Sequence, residues 1–298
     1  MEKDTINNYI KAGKILQETQ KLAKKSIKPG LKMIDIAEKI EAEIITLGGR
    51  PAFPINLSIG NIAAHYTPSA NDPTELPEGA VLKVDIGVHI DGYIADAAFT
   101  MDFSDENGKM VEASEKALEN ALAILKPGIT LGEIGTIVQE TISKYGFNVI
   151  QNLSGHGLDQ YDAHAAPGIP NIACKDSRKI TDDMVFAIEP FATDGRGFVR
   201  EGVQTEIFQV AKPTLLRNLD ARKIMEFIQE NYDELPFAER WIEKELKLGD
   251  FKRKVALREL MIKKCISTFP VLKEENDKIV TQAETTIMMI DGEAKILV

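Results

Sequence analysis

The sequence predicts an α+β protein that contains two copies of one helix-and-strand unit and a small helical insertion. Three observations indicate this class. Short motifs recur in the same order in both halves, each half contains an apolar strand that carries an acidic residue, and a later segment has the composition of helices. The length of 298 residues is enough for one large domain with its own core.

Two amphipathic helices begin the chain. Apolar residues recur at helical spacing over residues 4–26 and again over residues 33–47. The second pattern stops at Gly48-Gly49, a pair typical of a helix end. We therefore expect two helices that each bury one apolar face.

A β-hairpin that contains two acidic residues follows. Residues 81–90 and 93–101 have the composition of strands, and they flank Asp91-Gly92, a strong signal for a two-residue turn. Asp85 and Asp96 lie in the middle of these strands, where aspartate is disfavoured. A buried carboxylate is costly unless it is paired or binds a metal ion.

The expected register brings both aspartates to one face of the hairpin. Asp96 lies opposite Gly87, and Asp85 points to the same face because side chains alternate along a strand. The two aspartates are then diagonal neighbours, roughly 7–8 Å apart at the backbone. Two bare carboxylates this close would not both stay ionised, so we expect bound divalent cations.

A second copy of the unit follows the first. Three short segments recur in the same order: KPG at 28–30 and 126–128, NLS at 56–58 and 152–154, and VLKVDIG at 81–87 with VFAIEPF at 185–191. The third match aligns Asp85 with Glu189. The order predicts a duplicated α+β unit; the alternative is that Lys-Pro-Gly is only a common turn.

The composition changes after Lys212-Pro213. Residues 215–267 are rich in helix formers, and we assign residues 213–270 as a helical insertion subdomain within a single catalytic domain, residues 1–298. A strand pattern returns over 278–290 and is followed by an Asp-Gly turn and a last strand.

Composition and charge exclude several classes of protein. The net charge of −10 argues against a general nucleic-acid binder, although a transient visit to the ribosome through a local lysine patch stays open. Cys174 and Cys265 have no metal-binding spacing and favour a reducing compartment, with a disulfide between them as the alternative. No signal peptide and no apolar run of about 20 residues is found. We expect a cytoplasmic protein without a membrane segment.

Three further residues complete a metal-binding set. His156 lies in a loop between glycines, Glu189 ends an apolar strand, and Glu284 begins another. With the two aspartates of the hairpin they form a set of four carboxylates and one imidazole, which suits Mn, Fe, Co or Zn. Two such ions about 3.5–4 Å apart form a known hydrolytic arrangement.

The remaining histidines divide into two groups. His65 and His164 lie in loops beside the predicted site, and they are candidates to polarise a scissile carbonyl and hold a leaving nitrogen, although a lone histidine is more often structural. His89 precedes the hairpin turn, and we expect it to be an exposed residue at a strand end.

The motifs AAHYTP, VDIGVHIDGYIADAAFT, LSGHGLDQY, FAIEPF and QAETT resemble, in order, those of methionine aminopeptidases of the pita-bread fold. The resemblance covers the chain from about residue 5 to its end. The helical insertion resembles the type 2 subfamily, and the short N-terminus resembles its archaeal members. The fold implied is a pair of pseudo-twofold halves around a curved antiparallel sheet.

The resemblance implies a role for each matched residue. The ligands of two divalent ions would be Asp85, Asp96, His156, Glu189 and Glu284, with the second and the last bridging. Glu189 would also take a proton from the attacking water, His164 would stabilise the oxyanion, and His65 would contact the substrate near the scissile amide.

The resemblance also implies a pocket for the methionine side chain. Phe53 matches an aromatic residue of that pocket. Ile207 and Phe269 stand where eukaryotic members have a histidine and a tyrosine, and Ala283 stands where several relatives have an aromatic residue. We expect these departures to change the pocket and leave the metal ligands unaffected.

The function implied is removal of the N-terminal methionine from new polypeptides by a hydroxide that two metal ions activate. One alternative is an Xaa-Pro peptidase of the same fold, although such enzymes carry an extra N-terminal domain. Another is a non-catalytic binding protein, although such relatives lose metal ligands and gain basic tails. We expect a monomer, because no interface is evident in the sequence.

Overall fold

The computed structural model describes residues 1–212 and 214–298, and within them it has seven helices. The helices are α1 (Lys3–Ser26), α2 (Met33–Thr46), α3 (Gly108–Ala123), α4 (Leu131–Lys144), α5 (Leu219–Tyr232), α6 (Glu239–Leu246) and α7 (Asp250–Ile262). The first two agree closely with the helices expected from the apolar periodicity, and the last three lie in the segment rich in helix formers.

The strands of the described residues are short and pair in antiparallel fashion. They are β1 (Arg50–Pro51), β2 (Asn56–Ile59), β3 (Ile62–Ala64), β4 (Val81–Ile90), β5 (Tyr93–Asp102), β6 (Asn148–Val149), β7 (Ser154–Asp159), β8 (Asp162–Pro170), β9 (Val185–Ile188), β10 (Phe191–Thr193), β11 (Val199–Val210), β12 (Phe237–Ala238), β13 (Ile266–Glu274), β14 (Val280–Gln282), β15 (Thr285–Ile290) and β16 (Glu293–Ile296). The predicted α+β class is confirmed.

The strands form four connected sheets. One sheet of the first half contains β1, β4, β2 and β5, and one sheet of the second half has the order β16-β15-β9-β7-β8. A third sheet has the order β14-β10-β6, and a fourth has the order β12-β11-β13-β3. The fourth sheet joins the first half to the strands that flank the insertion.

The duplication extends to single hydrogen bonds. Helices α2 and α4 are each 14 residues long, and each follows a Lys-Pro-Gly turn. Gly30 and Gly128 end these turns with φ angles of 84° and 93°, a conformation that glycine adopts without strain. The Gly30 N–H donates to the Leu76 carbonyl at 2.8 Å, and the Gly128 N–H donates to the Ile180 carbonyl at 2.9 Å. The two halves therefore repeat one structural unit.

Each half has its own apolar core between its helices and its strands. In the first half, Leu16 of α1 and Ile40 of α2 belong to one buried cluster with Val84 of β4. In the second half, Val138 of α4 belongs to a cluster with Phe186 of β9. Because the helices cover one face of each sheet, the opposite faces are free to form a site between the halves.

The hairpin has the register expected from its turn. Asp91 and Gly92 have φ angles of 50° and 85°, which suit a tight two-residue connection. β4 and β5 pair with Gly87 opposite Asp96. The prediction that Asp85 and Asp96 share one face is confirmed by this register.

Helices α5, α6 and α7 enclose a third apolar cluster, to which Ile228, Ile242 and Leu257 contribute. They lie between β11 and β13, which pair with each other. The predicted first residue of the insertion, Pro213, lies outside the described residues, and the boundary at 213–270 stays a proposal.

Several expectations are corrected. His156 and His164, expected in loops, lie in strands β7 and β8. Cys174 is exposed and Cys265 is buried, and both are free thiols, so the alternative of a disulfide between them is wrong.

His89 is only 6% exposed and accepts a hydrogen bond from the Gly92 N–H at 3.0 Å, so the expectation of an exposed strand-end residue is also wrong. The ring also packs edge-on against Tyr161, with ring centroids 5.9 Å apart, and strand periodicity does not show this tertiary contact. Within 1–212 and 214–298, no helix is long and apolar enough to cross a membrane.

The close contact of α1 with the C-terminal residues predicts opposite effects for two glycine substitutions. A Cβ at Gly13 would lie 2.6 Å from the Leu297 carbonyl oxygen, whereas a Cβ at Gly108, the first residue of α3, meets nothing within 4 Å. We expect Gly13→Ala to lower the free energy of unfolding by about 1–3 kcal/mol. Gly108→Ala should raise it by about 0.4–1 kcal/mol. Urea unfolding measures both, and stabilisation by Gly13→Ala would contradict the packing.

The burial of His89 predicts a pH dependence of stability. Burial, and then the charge of Arg50, lower the pKa of His89 to about 4. Its folded-state pKa is below the unfolded value of about 6.5, so its stabilising contribution is complete above that pH and is lost as the pH falls toward 4. Between pH 7 and pH 5, wild type should lose about 2 kcal/mol more than His89→Gln. Equal losses in urea unfolding would show that His89 protonates freely in the folded protein.

Candidate metal centre

The hairpin contributes two carboxylates to a buried site. Asp85 lies on β4 opposite Asn56, and Asp96 lies on β5. Thr286 of β15 accepts a hydrogen bond from the Asp96 N–H and donates one to the Asp96 carbonyl, both at 2.7 Å. These two bonds attach the hairpin of the first half to the sheet of the second half. They also fix the backbone from which the Asp96 side chain projects.

Glu189 and Glu284 lie opposite each other where two strand ladders are interrupted. The ladder of β9 and β15 ends at Ile188 and Thr285, and the ladder of β10 and β14 resumes after two residues on each strand. The register that both ladders share places Glu189 opposite Glu284. Both acidic residues therefore come from one cross-strand position, at which neither strand is regular.

His156 completes the cluster from β7. Its Nδ1 lies 3.2 Å from the Gly157 carbonyl oxygen, so the Nδ1–H donates there in the neutral ring and Nε2 holds a lone pair. Nε2 lies 3.7 Å from Asp96 Oδ2, 3.8 Å from Glu189 Oε1 and 3.9 Å from Glu284 Oε1. The ring lone pair thus faces three carboxylates at similar distances, each longer than a hydrogen bond.

The geometry fits a divalent cation. Ligand atoms of Asp96, His156 and Glu284 lie within 4.8 Å of one another, and all three side chains are buried. Oδ1 of Asp85 and Oδ1 of Asp96 are buried without a hydrogen-bond partner. Buried polar atoms normally find a partner, so two orphaned carboxylate oxygens beside an imidazole lone pair indicate a place for a cation.

The electrostatics of the cluster agree with this. Burial, followed by the charges of the neighbouring carboxylates, raises the pKa of Asp96 and of Glu284 well above the usual range. The same two causes raise the pKa of Glu189, and burial raises the pKa of Asp85 to about 7. Burial, and then the proximity of His164, lower the pKa of His156 to about 3. A cation at this position would reverse the preference of the carboxylates for the protonated form.

The structure brings every predicted site residue to one cavity of about 280 Å³. Those residues are Phe53, His65, Asp85, Asp96, His156, His164, Glu189, Ile207 and Glu284. They come from both halves of the chain and from β11. A larger cavity, of about 440 Å³, lies between α2 and the insertion, and none of these residues lines it.

Two histidines stand beside the cluster with Phe269 next to both. The ring of Phe269 stacks on His164 at 5.9 Å and meets the edge of His65 at 5.6 Å. Nδ1 of His65 lies 3.3 Å from the Pro270 carbonyl oxygen. Burial, and then His164, lower the pKa of His65 to about 4, and burial lowers the pKa of His164, although solvent reaches its ring at the cavity rim. Both rings are therefore neutral near pH 7.

The apolar wall of the cavity includes Phe53, Ile207 and Phe269. Ile207 of β11 pairs with Phe269 of β13 across the fourth sheet. Phe53 packs over Gly87 so closely that a Cβ at Gly87 would lie 2.3 Å from the ring. Because residue 87 has no side chain, the Phe53 ring can pack against the hairpin and line the cavity with Asp85.

Sequence reasoning missed Gln282, a polar neighbour of the cluster, and placed Phe269 at the pocket only through the family resemblance. Nε2 of Gln282 lies 3.5 Å from Glu189 Oε2 and 3.4 Å from Glu284 Oε2, which are long contacts with both glutamates. A glutamine two residues before Glu284 in an apolar strand is the signal that could have found it. Phe269 carried no local signal, because it reaches the site only through strand pairing.

Comparison with known proteins agrees with these observations. Residues 7–210 match the model of metallopeptidase family M24. A methionine aminopeptidase of Methanocaldococcus jannaschii is 42% identical over 296 residues, which is 99% of each chain. One of Thermococcus onnurineus is 46% identical over 281 residues, which is 94% of this chain and 95% of the relative.

Solved structures confirm the architecture. The structure of a thermophilic Arx1 has a TM-score of 0.87 at 18% identity, with 100% of this chain and 91% of that chain covered. A methionine aminopeptidase of Thermotoga maritima has a TM-score of 0.72 at 23% identity, with 100% and 97% covered. At these identities the likeness shows the fold alone, which is the predicted pita-bread fold.

The cluster predicts that divalent metal stabilises the folded chain. A metal at about 100 times its Kd adds about 2.7 kcal/mol, so millimolar MnCl₂ should raise the melting temperature by several degrees. Asp96→Asn and Glu284→Gln should reduce this shift strongly. Glu206→Gln is the control, because Glu206 is a half-buried carboxylate next to Ile207 that does not line the cavity. Equal shifts in all variants would place the metal elsewhere.

Proposed function

Because the chain belongs to metallopeptidase family M24 and to the methionine aminopeptidases within it, we propose that it removes the N-terminal methionine from newly made polypeptides with the help of two divalent metal ions. The observation that supports this most is the cavity in which the lone pair of His156 faces three carboxylates. An oxygen-rich set with one nitrogen is typical of Mn, Fe, Co and Zn sites.

The residues that would hold the metal come from five positions. They are Asp85, Asp96, His156, Glu189 and Glu284. Asp96 and Glu284 would form the centre of this set, since ligand atoms of both lie within 4.8 Å of each other and of the imidazole. When bound, divalent ions lower the pKa of water and polarise a carbonyl, which is the chemistry that peptide hydrolysis needs.

Glu189 is the residue best placed to move the proton. It lies between β9 and β10, where the strand ladder is interrupted, and its side chain lines the cavity. It would take a proton from the attacking water and return it to the leaving amine. The long contact with Gln282 leaves the carboxylate free to bind that proton.

The two neutral histidines would serve the substrate differently. His65 donates its Nδ1–H to the Pro270 carbonyl, so its Nε2 is an acceptor that can hold an N–H of the substrate near the scissile amide. His164 sits at the cavity rim, where a ring N–H can donate to the developing oxyanion. Their lowered pKa values keep both rings in these hydrogen-bonding states near pH 7.

The cavity volume suits one side chain. About 280 Å³ accommodates a methionine side chain and the scissile peptide, and an aromatic wall favours a flexible thioether. Phe53, Ile207 and Phe269 would contact that side chain. The specificity would then come from apolar packing, which distinguishes residues of different length by about 1–3 kcal/mol.

Loss of the proposed base predicts loss of turnover. The purified protein with added Mn, Co or Fe should release methionine from a Met-Ala-Ser peptide and leave an interior methionine in place. Glu189→Gln keeps an oxygen atom for the metal but loses the base, so kcat should fall by about 10²–10⁴. Glu206→Gln should keep nearly normal turnover. Amino-acid analysis of the released methionine measures each rate.

Two outcomes would contradict the proposal. Cleavage restricted to Xaa-Pro bonds would indicate a prolidase-like peptidase. No cleavage of either substrate with any metal, in a protein that still binds the metal, would indicate a non-catalytic binding protein. Near-normal turnover of Glu189→Gln would remove Glu189 from the role of base and leave the substrate assignment intact.

A further inference from the structure

A buried ion pair connects the insertion to the first half of the chain. Arg240 of α6 donates to Glu41 of α2, and their side chains are only 3% and 9% exposed. Glu41 also accepts hydrogen bonds from Trp241 Nε1 at 3.0 Å and from the Ile55 N–H at 3.3 Å. One carboxylate thus joins the insertion to the segment that follows Phe53.

Arg240 also contacts the segment that follows His65. Its Nη1 donates to Thr67 Oγ1 at 2.6 Å and to the Pro68 carbonyl at 3.1 Å. Thr67 is fully buried and lies two residues after His65. The guanidinium therefore holds the backbone that leads away from His65.

The backbone around His65 is held by hydrogen bonds from two directions. β3 ends at Ala64, and His65 has a φ angle of +65°, in the left-handed region that is uncommon for residues other than glycine. On one side, the Leu57 N–H donates to the Tyr66 carbonyl at 2.7 Å. On the other side, Arg240 donates hydrogen bonds to Thr67 and Pro68, the two residues that follow Tyr66.

Stability alone gives a poor reason for this ion pair. Removing two charges from water costs as much as a buried pair usually recovers, and an apolar replacement is often as stable. A buried pair does fix geometry, because its hydrogen bonds are directional. Arg240 is bonded to Thr67, two residues after His65, and Glu41 is bonded to Ile55, two residues after Phe53. Both His65 and Phe53 line the cavity.

We propose that Arg240 and Glu41 form a clamp through which the helical insertion positions His65, and with it the scissile amide, in the cavity. Both are positioning residues, since they act through Thr67 and Ile55 and do not line the cavity. The proposal rests on the proposed function, in which His65 contacts the substrate. It gives the insertion a role in the reaction, although no residue of its helices is a metal ligand.

The chain offers a matched control. Arg253 of α7 is also 3% exposed and is hydrogen-bonded to Glu239, Asp250 and the Leu248 carbonyl, all of them within the insertion. Arg240→Met and Arg253→Met should therefore lower the melting temperature similarly. Only the first should disturb the cavity. Thr67→Val is the milder test, and Thr67→Ser, which keeps the hydroxyl, is its rescue.

The first readout is NMR of isotope-labelled histidine in protein prepared without added metal. The chain has four histidines, so His65→Ala identifies the His65 signal. Arg240→Met and Thr67→Val should shift that signal. Arg253→Met and Thr67→Ser should leave it near its wild-type position. An unchanged His65 signal in a folded Arg240→Met or Thr67→Val protein would overturn the clamp.

The second readout is hydrolysis of the Met-Ala-Ser peptide. A displaced group costs up to about 100-fold in rate, so Thr67→Val and Arg240→Met should each lower kcat by about tenfold or more, with KM changed less than about threefold. In a His65→Ala background the same changes should alter kcat by less than about twofold, because the group they position is gone.

The outcomes separate the clamp from the proposed function. If the fold-losses of kcat in His65→Ala and Thr67→Val simply multiply in the double variant, the clamp is overturned. An equal loss of kcat in Arg253→Met and Arg240→Met would also overturn it. If wild type releases no methionine with any metal, the proposed function fails. The histidine spectra then decide alone whether Arg240 positions His65.

Discussion

Crowding of negative charge around one imidazole lone pair is the constraint on which the rest of the structure depends. Four carboxylates share a cavity of about 280 Å³ with His156. Burial raises the pKa of each, and the charges of neighbouring carboxylates raise the pKa of Asp96, Glu189 and Glu284 further. Such a cluster costs free energy in an apolar surrounding unless a cation offsets it. The two orphaned oxygens of Asp85 and Asp96 show where that compensation is missing within the protein itself.

The duplicated fold makes the cluster possible by supplying rigid strands from both halves. Interrupting a ladder at Glu189 and Glu284 would leave backbone groups unpaired, yet the Ala283 N–H donates to the Pro190 carbonyl at 3.2 Å. The Glu284 N–H in turn donates to Ala98 of the hairpin at 2.9 Å. Backbone groups at the interruption therefore find hydrogen-bond partners on the neighbouring strand and in the other half of the chain. Rigid backbone on all sides holds the carboxylates together against their repulsion.

Local signals made much of this fold predictable. An Asp-Gly turn set the hairpin register, and with it the common face of Asp85 and Asp96, because turn length and side-chain alternation depend on neighbouring residues only. Strand pairing over long sequence separations was not predictable in this way. Phe269 came to the cavity through pairing of β13 with β11, and the contact of Arg240 with Thr67 spans 173 positions. The ring of His89 was buried by tertiary packing that strand periodicity does not encode.

The most direct test of the central claim is a crystal structure of the protein with Mn²⁺, in which anomalous scattering locates the metal without reference to the protein atoms. We expect anomalous scattering in the cavity, beside Nε2 of His156 and the carboxylates of Asp96 and Glu284. Absence of any peak there at saturating Mn²⁺, with the four carboxylates still clustered, would contradict it.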